Sequence, residues 1–391
     1  MRILKVHNYY VQPGGEDTVF HAEVELLRSY GHEVITYVED NKKIEQMNKA
    51  IVALQTVWSF SSYRKIKQIL EDERPSVVHF HNTFPLISPA AYYACRELRI
   101  PVVQTLDNQR LICPSANFFG TGNFAWKCLG TNIPWPGVLH ACYHNSRLHT
   151  GVVASMVSIH RWLKTWQQMV DIFLCSTNFY KDLFIQSGFP SEKIVVMPHY
   201  VRQLPYVSAK DKSGEYALFV GRLDPEKGVE TLLEAWRLLK IPLKIRGDGQ
   251  LTLQAKQFVE LHHLNHVEFV GRLSEEELSD LINKARFLIV PSGGYYETFG
   301  MVIVEAYSKG VPVVASNLGV TSEIVSDKYT GLLFESGNPR DLADKAAWMW
   351  DHTTEADTMG RNGLEFFENY YTDKRCYHTL IKVYDELIES R

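Results

Sequence analysis

The chain has 391 residues, 45% of them apolar, a formal net charge of −4 and six cysteines. Those values exclude a single small core, a polybasic nucleic-acid binder and a disulfide-stapled scaffold, and two domains are expected. The apolar runs stop far short of the ~20 residues that span a bilayer, and the first residues read as a strand rather than a leader, so a cytoplasmic protein is expected.

Charge is unevenly distributed. Residues 1–200 hold 19 Lys/Arg against 16 Asp/Glu, and residues 201–391 hold 22 against 29. Halves of opposite sign suit different partners.

Residues 1–200 alternate strand and helix patterns. RILKVHNY (2–9) and HEVITYV (32–38) are strands around a helix near 16–30. SVVHFHN (76–82) and PVVQTLD (101–107) flank a helix near 88–98, and DIFLCST (171–177) and KIVVMPH (193–199) flank another near 178–187. This alternation predicts a parallel sheet wrapped by helices. Gly14 and Gly15 follow the first strand, where a glycine pair before a helix makes a tight turn or lets an anionic ligand reach the backbone. His81, Asn82 and Asp107 fall at strand ends, as candidates for acid–base or hydroxyl contacts.

Residues 108–170 break the rhythm. They contain no Asp or Glu, three Arg and two Lys, and eight Phe, Trp or Tyr, among them Phe118, Phe119, Trp126, Trp135, Trp162 and Trp166. The segment is too aromatic for disorder. It reads either as a packed subdomain or as an edge for an anionic, lipid-linked partner and a membrane surface, with Thr150–Val170 helical and Arg110 at its start. Cys113, Cys128 and Cys142 lie here near His140 and His144, but their spacing is irregular; buried thiols are expected rather than a zinc site.

A polar stretch over 201–214 reads as a linker. The second half repeats the scheme. YALFVGR (216–222), PLKIRG (242–247), VEFVGR (267–272), FLIVPS (287–292), VPVVAS (311–316) and GLLFES (331–336) are strands, with helices near 226–240 and 274–286. Arg222 and Lys227 follow the first of these strands, a planar fork and a point charge suited to phosphate. Asp248 and Arg272 sit in glycine turns after the next two. The densest stretch is 287–317. Thr298 is expected to cap a helix over 299–308 that Gly310 ends. The backbone N–H groups of Phe299, Gly300 and Met301 then form an anion site, flanked by Glu297 and Glu305. Seven residues separate those acids, roughly 12 Å along a helix axis, the reach of a nucleotide sugar. The segment over 372–391 is a final amphipathic helix.

The pattern PS-x4-ETFG-x-V-x-VEA-x3-G-x-PVVAS, with GRLDPEKG (221–228), resembles the retaining glycosyltransferases of family four. The resemblance covers nearly the whole chain and is strongest over 216–335. It implies a GT-B fold, α/β, of two Rossmann-like domains facing an interdomain cleft: an N-terminal acceptor domain (1–203), a nucleotide-sugar domain (204–370) and a C-terminal helix (371–391) crossing back to the first domain. It implies transfer of a sugar from a nucleotide diphosphate sugar to an acceptor hydroxyl with retention, hexosyltransferase chemistry of glycan or lipid-linked acceptors, and no metal or cofactor. By the resemblance, Arg222, Lys227 and the amides near Gly300 bind the diphosphate, Glu305 the ribose and Glu297 the sugar. Gly14 and Gly15 approach the donor or acceptor, and the loops of Asp248 and Arg272 frame the base. The family usually carries His where this chain has Asp107, so Asp107 is expected either to act as a base or to mark weakened catalysis. Two alternatives stay open: a nucleotide-sugar epimerase or hydrolase of the same fold, and a non-catalytic sugar-nucleotide-binding protein.

Overall fold

The structure is a computed structural model, describing all residues except 12–13, 117–124, 202–213 and 294–296 and the side chains of Ala125 and Trp126. Phe118, Phe119, the ring of Trp126 and most of the expected linker lie outside the described residues. The chain divides into two compact units, Met1–Met197 with Tyr377–Arg391, and Pro198–Cys376.

The first unit is built on β1 (Arg2–Tyr9), β2 (Glu33–Asp40), β3 (Val77–Phe80), β4 (Val102–Thr105), β5 (Ile172–Cys175) and β6 (Ile194–Val196). They form one sheet in the order β2-β1-β3-β4-β5-β6, and every pair is parallel. β3 and β4 are buried at every position, as apolar runs covered on both faces must be, whereas edge strand β2 alternates with solvent. The chain leaves β1 toward β2 on one side and reaches β3 on the other. That reversal is where open α/β sheets hold ligands, beyond the strands' carboxyl ends.

Two helices between β2 and β3 escape the strand–helix reading. Lys49–Val57 is capped by Asn48, whose Oδ1 accepts from the Ala50 N–H at 2.9 Å. Phe60–Glu73 is capped by Ser59. In the 108–170 segment the expected long helix is Arg147–Trp162 followed by a separate short one, Thr165–Met169. The break falls at Lys164, in the left-handed region at φ 52°. Trp166 is fully buried beneath it. The last helix, Asp373–Glu389, packs on this unit. The Tyr377 ring stacks on Tyr30 at 3.6 Å, and Arg391 pairs with Asp171 at 2.7 Å.

The second unit carries β7 (Tyr216–Val220), β8 (Leu243–Arg246), β9 (Val267–Phe269), β10 (Ala285–Val290), β11 (Val313–Ser316) and β12 (Gly331–Phe334). Their order is β12-β11-β10-β7-β8-β9, again all parallel. The reversal lies between β7 and β10. Phe219, Ile245, Phe287 and Val314 share one core with Trp236, Leu342 and Met349 of the covering helices. The helix expected over 226–240 starts late. A single turn, Pro225–Lys227, is followed by Gly228 and then Val229–Trp236. Gly228 has φ +71°, and a Cβ there would sit 1.9 Å from the carbonyl oxygen of Pro291. Only glycine lets the loops after β7 and β10 touch.

The helix after β10 also differs from its expected start. It spans Met301–Ser308, and its N-cap is Gly300 at φ 77°, not Thr298. Its end matches the sequence reading: Gly310 is left-handed at φ 61°. Gly310 N–H donates to Tyr307 O and Val311 N–H to Ala306 O, a paired C-terminal cap. Among the described residues no helix is long and apolar enough to cross a membrane.

Candidate functional site

In the second unit the convergence lies at the carboxyl ends of β7 and β10. Lys227 Nζ is 2.7 Å from Glu297 Oε2, and Ser292 Oγ donates to the same oxygen at 3.2 Å. Burial pushes the Glu297 carboxyl up, but the Lys227 charge and hydrogen bonds from Lys227, Ser292 and the Gly300 backbone outweigh it, so the group is held below its ordinary value. Glu297 is therefore a carboxylate locked in place before any ligand arrives. Glu305, on the second turn of the helix, behaves differently. Burial raises its pKa, opposed by Arg246 and reinforced by Glu275. No described group hydrogen-bonds its carboxylate, which leaves it open to a hydroxyl.

The remaining donor-side candidates are less tightly held. The side chain of Arg222 is 55% exposed, and its fork spans Asp224 Oδ2 at 3.0 Å and Glu226 Oε1 at 3.3 Å. Phe299 contributes no side chain to a ligand. Its ring is buried edge-on against His199 and Tyr371, and only its backbone remains available. The carboxylate of Asp248 is engaged within its own loop, accepting from Thr252 Oγ1 at 2.6 Å and Gly249 N–H at 3.0 Å. Arg272 is exposed on the loop after β9. Gly300 caps the helix, with Met301 as its first residue. Ser292 falls in the PS that opens the motif, but neither its bond to Glu297 nor the Arg246 charge near Glu305 was foreseen from sequence.

In the first unit the reversal point is built around a buried ionic cluster. The β1–β3 register pairs Lys5 with His79. Lys5 Nζ reaches Glu23 Oε2 at 2.5 Å, His79 Nδ1 at 2.9 Å and His81 Nε2 at 2.8 Å. His79 is tied to Tyr384 of the last helix at 2.6 Å and to Thr105 at 2.6 Å. Glu23, His79 and His81 group as three metal ligands would. The Lys5 ammonium already fills that cation position, so the trio reads as a closed salt-bridge network. The sequence signal was a lysine set between the apolar Leu4 and Val6 of a buried strand.

His81 extends the network to Asp107, with Nδ1 3.1 Å from Oδ2. Burial and Lys5 oppose its charge, but Glu23 and Asp107 prevail and hold its pKa up. His81 is thus a positioning group behind Asp107. Asn82 is structural: its amide donates to Asn8 O at 2.7 Å and its carbonyl accepts from Phe84 N–H at 2.9 Å. Gly14 caps the helix Gly15–Ser29 without positive φ. A Cβ at Gly14 or Gly15 would meet nothing within 4 Å. The chain's own packing does not demand glycine there, which leaves room for a ligand. Glu16, beside this pair, was not singled out by sequence. Its Oε1 accepts from Asn108 Nδ2 at 2.8 Å. Burial first, then the neighbouring Asp107, push its pKa up to about 8.

The cysteines of the 108–170 segment are free thiols. Cys128 is pushed up to about 11, by burial first and then by neighbouring thiols. Among the described residues no three of these sulfurs and imidazoles bring ligand atoms together.

The family model for "Glycosyl transferases group 1" matches residues 202–366. That for "Glycosyl transferase 4-like domain" matches residues 14–199. The chain belongs to the group 1 glycosyl transferases. It is 28% identical to an uncharacterized glycosyltransferase of Methanocaldococcus jannaschii over 99% of each chain. It is 30% identical to the D-rhamnosyltransferase WbpZ of Pseudomonas aeruginosa over 42% of this chain and 43% of that one. Among solved structures, HepE of Anabaena in complex with UDP superposes with a TM-score of 0.70 at 16% identity, over 99% of this chain and 100% of that one. Sucrose-phosphate synthase of Thermosynechococcus elongatus gives 0.74 at 17% identity, over the full length of both. The fold of this glycosyltransferase is therefore GT-B, and its activity is sugar transfer from a nucleotide sugar.

Proposed function

We propose that this glycosyltransferase transfers a hexose from a nucleoside diphosphate hexose to an acceptor hydroxyl with retention, without a metal, in the assembly of a glycan or glycolipid. The observation that carries the reading is the Lys227–Glu297 pair at 2.7 Å, beside the N-terminus of the helix Met301–Ser308. Lys227 and Arg222 face the diphosphate with the first N–H groups of that helix, offsetting charge as the sugar–phosphate bond breaks and its electron pair moves to phosphate. Two cations and a helix terminus can do this without a divalent ion. Glu297 accepts from sugar hydroxyls and Glu305 from the ribose. On the first unit Asp107, oriented by His81, is the candidate base for the acceptor hydroxyl. A peripheral membrane contact is part of the same reading. Helix Arg147–Trp162 exposes Leu148 at 76% and Trp162 at 83% within a segment that has no acidic residue.

The test is a thermal-shift panel of UDP, GDP, ADP and dTDP sugars, followed by NMR of the product's anomeric configuration. One donor is expected to raise the melting temperature in the wild type and not in Glu297→Ala, and the product is expected to keep the donor's anomeric configuration. An inverted product would overturn retention. Donor turnover with no acceptor consumed would favour an epimerase or hydrolase.

A further inference from the structure

Arg110 lies in the loop after β4, with its side chain turned into a pocket lined by His81, Asn82, Thr83, Phe84 and Asp107. It is 7% exposed. Its guanidinium lies in the corner of two edge-to-face aromatic rings, 4.3 Å from the Phe84 centroid and 4.8 Å from that of Tyr143. Nη1 donates to the carbonyl of Pro114, and the Arg110 backbone N–H donates to Asn108 Oδ1 at 2.7 Å. Nε is buried with no hydrogen-bond partner. No carboxylate among the described residues lies within ion-pair distance of the guanidinium.

The neighbouring acids are committed elsewhere. Glu23 neutralises Lys5 at 2.5 Å, and Asp107 faces His81 at 3.1 Å. Glu16 accepts from Asn108 Nδ2 at 2.8 Å, and burial and Asp107 disfavour its charged form. A buried cation without a counter-ion is costly, and proteins rarely leave one. The two rings and the Pro114 carbonyl hold the fork, so little rotamer freedom remains to be lost on binding.

We propose that Arg110 anchors an oxyanion, a phosphate or carboxylate group carried by the acceptor, in this pocket of the first unit. Only the word acceptor rests on the glycosyl-transfer reading; the anion site stands on Arg110 itself.

The test uses the full chain with inorganic phosphate and with acetate as probes. Binding is followed by calorimetry and by the 15N–1H signal of the Arg110 side chain. In the wild type, phosphate, acetate or both are expected to shift that signal, and the probe that does so identifies the anion class. Arg110→Gln is expected to weaken that probe roughly tenfold or more, whereas Lys227→Met leaves this site's affinity unchanged. Nucleoside diphosphate binding should survive in Arg110→Gln, which separates failure of this inference from failure of the donor reading. An Arg110 signal that neither probe moves would overturn the proposal, as would anion binding lost in Lys227→Met and retained in Arg110→Gln. The wild-type spectrum decides even if the Gln variant does not fold.

Discussion

Replacing Lys227 with Met keeps the length of the side chain and removes the ammonium 2.7 Å from Glu297 Oε2. Both side chains are mostly shielded, 18% and 16% exposed, so Glu297 loses a counter-charge that water only partly replaces. Ser292 Oγ and the Gly300 N–H remain. The expected loss of stability at pH 7 is about 1–3 kcal/mol, the cost of an under-satisfied buried acceptor. Its sign changes with pH in a defined way. In the wild type the Glu297 pKa is lowered, so its contribution is present above the unfolded value of ~4.3 and lost as pH falls below it. In Lys227→Met burial dominates and the folded pKa rises above ~4.3, so the penalty grows as pH rises from about 4 to 7. Urea denaturation at pH 4 and pH 7 reads this directly. The same variant loses one charge-assisted phosphate contact, about 1.5–3 kcal/mol, which weakens nucleoside diphosphate binding about ten- to 150-fold by calorimetry. Unchanged diphosphate affinity, with equal stability losses at both pH values, would refute the reasoning.

Gly228→Ala forces a left-handed alanine and a Cβ 1.9 Å from Pro291 O. The loops after β7 and β10 must separate, at about 1–2 kcal/mol for the backbone and about 1–3 for overpacking, and thermal melting with and without donor should show both a lower Tm and a lost ligand shift. A fully retained shift would mean that this contact does not shape the donor site. Lys5→Met leaves Glu23 buried without its cation. Burial pushes Glu23 up, but Lys5 first and then the two histidines hold it well below the carboxylate range. The loss is expected at about 3–5 kcal/mol at pH 7, measured by urea denaturation. Since the contribution of Glu23 is present above ~4.3 and lost as pH falls below that, the gap to the wild type should narrow toward pH 4. A gap that does not change with pH would place the stabilisation elsewhere.

Sequence alone determined the fold class and singled out the candidate donor-side residues, because both rest on local rules. Short apolar runs such as VVHF and FLIV, separated by helix periods, can only be buried parallel strands. The glycine at 310 and the acids at 297 and 305 carry their meaning within one strand–helix–strand unit. Local signals misplaced the helix start by two residues: Thr298 offers a hydroxyl cap, but Gly300 takes the left-handed turn that the backbone uses. What only tertiary structure decided depends on register and packing between distant segments. The pairing of Lys5 with His79 across β1 and β3 turns four scattered polar residues into one buried network. The role of His81 behind Asp107, the raised pKa of Glu16 and the packing of Arg110 against Phe84 and Tyr143 arise in the same way. Each is set by the charges and rings that the fold brings alongside, and no spacing along the chain encodes that neighbourhood.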